Sequence, residues 1–322
     1  MCNRVYGTAE MKLRKLSRNP TGFCLRDRPE GAHMLKLASQ WLKLGLVLAV
    51  GLELAFVSTA MAGAPPPLDD DDIDLGFRQM YNLDFSGAHR TFGEWKAKHP
   101  ADPMGYMSDA AAHLFGEFDR MRVLQSEFFV SDNTFKKENA LTPDPKAKAA
   151  FMKELETGER LAKEALSKSS DKDLNAMFAW VLSFGLRADY DGLIEKKYLS
   201  SVGYMKTGRQ AAEKLLALDP TCSDAYVAIG VEPYILSSKP MPVRWILRMT
   251  GSNTDHDDGI RKVRLAAEGG RYLRPFARLL LAVAALRDKD VKTAVDILED
   301  LSKQFPMNKL YAEELARLKR PK

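Results

Sequence analysis

Past residue 70 the chain is written as short runs of helical period. Ile73, Phe77 and Met80 recur at three- and four-residue spacing, and so do Phe85, Ala88, Phe92 and Trp95. Each set falls on one face of a helix. Asn82-Leu83-Asp84 interrupts the period between them, and Pro100 closes the pair. The spacing predicts helices over 73–81 and 85–98. Another helix is predicted after Asp102-Pro103, because proline at the first helical position lacks only an N–H that would have no partner there.

The same order returns near the C-terminus. Residues 276–286 are apolar on most sides of a helix, Asp288-Lys289-Asp290 makes a turn, and Val291, Ala294, Leu298 and Leu301 form the inner face of the next helix. Pro306 stops that helix, and Asn308 stands where it caps a last amphipathic one over 310–318. A third instance lies between: 211–218 closes on Asp219-Pro220, and Ser223 is placed to cap a helix carrying Tyr226, Ile229 and Gly230. No segment alternates with period two. The predicted class is all-α.

The small residues in these units are Ala88, Ala110, Gly230, Ala282 and Ala294; the bulky ones are Phe92, Tyr106, Tyr226 and Leu298. With Pro100, Pro220 and Pro306 as closing residues, the pattern resembles the tetratricopeptide repeat family, in the form found in exported bacterial proteins. Residues 272–287 are similar to one helix of that type. The resemblance implies an α–α solenoid of helical hairpins over 71–318, and an irregular helical bundle is the alternative. Trp95 departs from it by standing where a small residue is usual. The prolines are 120 and 86 residues apart, three and two 34-residue periods with 18 left over in each case. That surplus places insertions near 131–146 and 237–257.

The resemblance further implies a concave groove lined by the first helix of each pair. Groove residues would then be Phe77, Met80, Met107, Leu114, Val227, Val231, Tyr234, Leu279, Val283 and Leu286. An apolar lining of this kind suits a hydrophobic helix or an extended peptide, or else the chain's own insertions fill it. Core packing produces the same stripes. The implied function is a scaffold or adaptor that binds protein or peptide.

Charge changes the picture only at the start. The 322 residues carry a net charge of +5, but residues 1–62 hold nine Lys and Arg against four acids. Beyond residue 62 there are 39 of each sign, so no global attraction to nucleic acid is expected. Within 1–62, Lys36 and Lys43 precede an apolar run over 44–52, and Ala60-Met61-Ala62 follows. These are the parts of a signal peptide, with cleavage before Gly63 and Met34 as an alternative start. The apolar run is too short for a bilayer, although a retained anchor is the competing reading. Export to the periplasm or outer envelope is expected, followed by a Pro/Asp-rich linker over 63–70 and ending in a basic tail over 319–322. Only Cys222 follows the leader, so no internal disulfide is expected there.

Candidate chemistry is sparse. Asp69 to Asp72 and Asp74 lack the spacing and central glycine of a calcium loop and fit a helix N-terminus instead. His89, His99, His113 and His256 form no His-Glu-x-x-His, so no zinc site is expected and His113 is assigned to packing or capping. Asp255-His256-Asp257-Asp258-Gly259 is read as a helix cap. Glycine-rich phosphate loops and nucleophile elbows are missing, so no enzyme, cofactor or metal is predicted. Residues 241–250 mix Trp245 with Arg244 and Arg248. Such a segment suits a membrane interface, and the alternative function is a membrane-associated component of envelope assembly or transport docked through it.

Overall fold

A computed structural model describes residues 72–123, 142–237 and 254–320, all within the unit Ala64–Lys322. Among the described residues there are eleven α-helices and no strand, so the class is all-α. In order they are α1 (Asp72–Tyr81), α2 (Phe85–Lys98), α3 (Pro103–Met121), α4 (Pro145–Ser169), α5 (Leu174–Asp189), α6 (Tyr198–Leu218), α7 (Ala225–Ser237), α8 (His256–Gly269), α9 (Arg274–Arg287), α10 (Val291–Gln304) and α11 (Lys309–Leu318). A π-helical turn, Tyr190–Ile194, follows α5.

Seven of the described helices start where a side chain takes an orphan N–H. Asp84, Asp102, Asp144, Asp173, Asp255, Asp290 and Asn308 each accept one from two or three residues on, which supplies donors that a helix start leaves unpaired. Ser223 differs from its expected capping role. Its hydroxyl donates to the Thr221 carbonyl at 3.4 Å, and the neighbouring Asp224 carboxylate takes the N–H groups of Arg271, Tyr272 and Leu273 ahead of α9.

Three joints are built alike. His99, Asp219 and Phe305 each precede a proline, leave the helical region with φ of −129°, −135° and −126°, and donate an N–H to Trp95, Leu215 and Leu301. Three residues on, Asp102, Cys222 and Asn308 return an N–H to those residues' carbonyls. Proline drives the residue before it out of the α region, so the joint recurs with Pro100, Pro220 and Pro306. The α1–α2 and α9–α10 turns also match. Leu83 and Lys289 have φ of 64° and 65°. Asp84 and Asp290 each donate an N–H five residues back, to Gln79 and Ala285, and then cap the next helix.

Small residues let the helices close up. Ala88, Ala110, Ala282 and Ala294 have no exposed surface, and Gly230 is buried. A Cβ on Gly230 would lie 2.8 Å from the Gly259 carbonyl oxygen, so α7 and α8 touch backbone to backbone. Trp95 is accommodated because Gly105 faces it, where a Cβ would be 2.7 Å from the indole. Its Nε1–H donates to Asp102 at 2.6 Å.

Most helices pack on their neighbours in sequence, yet the two ends also meet. The Arg271 guanidinium donates to both carboxylate oxygens of buried Asp74, the shortest contact being 2.7 Å. Phe77 lies 5.1 Å from Tyr272, ring centre to ring centre, and Tyr81 lies 5.6 Å from Phe305. Asn308 donates to the Tyr81 carbonyl at 2.8 Å. Tyr272 also stacks on Phe178 of α5 at 6.0 Å, so the first, middle and last of the described helices share one core.

Candidate functional site

Closure of the ends decides where the expected groove residues go. Phe77, Met80, Met107, Leu114, Leu279 and Val283 are at most 3% exposed. Val227 and Tyr234 are buried as well, and Val231 and Leu286 are half-buried. Of the two readings of these stripes, an open groove and core packing, the burial matches the second: the face is packed by the chain's own helices, with Tyr272 and Phe305 covering Phe77 and Tyr81. Arg244, Trp245 and Arg248 lie outside the described residues, as do the leader and linker. His256 sits at the start of α8, where Asp255 accepts the Asp258 N–H. Its ring is 3.1 Å from the Asp257 carboxylate.

A different group of residues converges at the junction of α2, α3 and α4. Asp109 and His113 are one turn apart on α3 and share a face. His89 comes from α2, its Nδ1 2.5 Å from Asp109 Oδ1. The His89 and His113 rings lie 4.1 Å apart. On the other carboxylate oxygen, Asp109 accepts from Lys96 of α2, and the same ammonium reaches Glu154 of α4 at 2.7 Å. Lys96 also lies 5.4 Å over the Tyr106 ring. The assignment of His113 to simple packing or capping is incomplete, because the fold gives it partners that its local sequence does not show.

Electrostatics tie the group together. Burial pushes the Asp109 carboxyl up, but hydrogen bonds from His89 and Lys96 outweigh it and hold it below the usual carboxylate range. Burial lowers the Lys96 ammonium, yet Asp109 and Glu154 leave it above the ordinary lysine value. Burial, with His89 beside it, holds the His113 imidazole below its ordinary value. Lone pairs on two imidazoles and a carboxylate can hold a proton or a cation. No serine, threonine or cysteine hydrogen-bonds to either imidazole among the described residues, so the nucleophile–base pair of covalent catalysis is not built here. Cys222, half-buried, has its thiol pushed up to about 11 by burial and by Asp224, which leaves it protonated at neutral pH.

Local motif reading missed this group because its members come from different helices. A usable signal was present. Counting equal steps outward from residue 101 pairs His89 with His113 and Lys96 with Tyr106, as an antiparallel hairpin about that joint must do.

No protein-family model and no curated protein matches the chain.

Proposed function

We propose that the chain is a tetratricopeptide-like array of helical hairpins, exported to the envelope, which works by binding a protein or peptide and catalyses nothing itself. The observation that carries this reading is the recurring joint: helix end, proline, and a residue three on that returns its N–H, found at 99–102, 219–222 and 305–308. Repeated joints of one geometry, with buried alanine and glycine notches, are how helical-hairpin arrays stack, and such arrays serve as extended binding surfaces. Since the apolar face is filled, the partner would be received on the outer faces and helix edges. Tyr198 and Leu199 at the start of α6 are 62% and 93% exposed there.

Site-specific photo-cross-linking of the full chain in its own cells tests this. Probes placed at Leu199 and at Met307, which is 69% exposed, should give discrete adducts with another protein, recovered in the envelope fraction. If probes across the exposed surface return only the chain itself, the binding reading fails. Recovery of the chain in the cytosol alone rejects export. No described helix is long and apolar enough to cross a membrane. Docking through residues 241–250 is a separate proposal, tested by vesicle flotation of the full chain and of Trp245→Asp.

A further inference from the structure

We propose that His89, Asp109 and His113 bind one divalent transition-metal ion of the zinc, cobalt and nickel class. This goes beyond the array reading and does not depend on it.

One donor atom from each of the three residues lies within 4.8 Å of the other two. Two imidazoles and a carboxylate are donors that such ions prefer. The arrangement is set by the fold: Asp109 and His113 share a face of α3, and the register of α2 against α3 is fixed by the 99–102 joint and by Trp95 seated on Gly105. Metal–ligand bonds of about 2.0–2.2 Å require the donors to turn slightly around a common centre, which side-chain torsions can supply.

The surroundings favour a cation over a bare histidine pair. Lys96 holds the second oxygen of Asp109 and is itself held by Glu154. This orients the carboxylate with Oδ1 toward the imidazoles, as outer partners orient metal ligands. Glu154 is balanced by the exposed Lys153 ammonium at 3.7 Å as well as by Lys96, so the anionic atom that faces the imidazoles is Asp109 Oδ1, and a cation bound there is attracted by it. His113 makes no hydrogen bond among the described residues, so its nitrogens are free to ligate. The ion would take the place of the hydrogen bond between His89 and Asp109. The His89 side chain is 32% exposed, which gives the ion a path in and leaves room for water as a remaining ligand.

The test is titration of the full, reduced chain with zinc chloride against a chromophoric chelator, alongside His89→Ala, His113→Ala and, as a control, His256→Ala. One ion per chain is expected, with affinity at least tenfold weaker in either of the first two variants and unchanged in the control. Imidazole nitrogen spectra of the unmodified chain provide a second readout that does not depend on the folding of any variant. One equivalent of zinc should move the His89 and His113 signals and leave those of His99 and His256 in place. Equal affinity in all variants, or shifts confined to His99 and His256, would overturn the proposal.

Discussion

Asp109, buried at the α2–α3–α4 junction, and Asp189, half-buried at the end of α5, are both carboxylates on which burial acts. Asp109 is met by an ammonium and an imidazole and is held below the usual range. Asp189 is half-buried, no ion pair holds its carboxylate among the described residues, and burial pushes its carboxyl up to about 7. Next to it, the Tyr190 hydroxyl is buried with no hydrogen-bond partner among the described residues. The contrast teaches that burial depth does not set the state of an acid in this array. The partners that the neighbouring helix brings do so.

The strongest break in the comparison is Lys96→Met. Lys96, Asp109 and Glu154 side chains are 16%, 8% and 11% exposed, so two enclosed carboxylates would lose their shared cation. Urea unfolding should show a loss of about 3–5 kcal/mol. Adding Glu154→Gln should restore part of it, because one stranded charge is removed.

At the other carboxylate the sign reverses. The Asp189 pKa is raised from 3.8 to about 7 on folding, so the folded state holds a proton that the unfolded chain has released between those values. Its contribution is therefore full below pH 4 and lost as pH rises toward 7. Asp189→Asn should flatten that decline and stabilise the protein at pH 8 by about 1–2 kcal/mol, a figure reduced because the residue still sees solvent. A loss of stability at pH 8 would mean that Asp189 has a partner in solution.

Tyr190→Phe should be the mildest change. The ring stacks on Phe151 at 4.8 Å, and phenylalanine keeps that contact while removing an unsatisfied hydroxyl. The unfolding free energy should hold or rise by less than about 1 kcal/mol. A clear drop would reveal a bond to that hydroxyl and narrow the difference between the two regions.

Much of the array was legible because its signals are local. Asn82-Leu83-Asp84 and Asp288-Lys289-Asp290 mark turns of one geometry, and the three closing prolines mark joints of another. Ala88, Ala110, Ala282 and Ala294 were recognisable as notches, since small residues recur opposite bulky ones. The destination of the apolar stripes was not legible. Phe77 and Met80 look the same in sequence whether they face a groove or a core, and what covers that face is Tyr272 and Phe305, about 200 positions away, brought there by the packing of the helices between them. The histidine–aspartate group failed differently. Asp109 and His113 advertise one helical turn of spacing, but His89 joins them only through the antiparallel register about residue 101.

Contact between the first and last helices is the claim from which the filled apolar face and the proposed outward binding surface both follow. Through-space proton contacts between assigned aromatic rings of the full chain test it directly. Cross-peaks are predicted between Phe77 and Tyr272 and between Tyr81 and Phe305, whose ring centres lie 5.1 and 5.6 Å apart. If contacts within the α1–α2 and α9–α10 hairpins are seen but these two pairs stay silent, the array is open and the groove is restored.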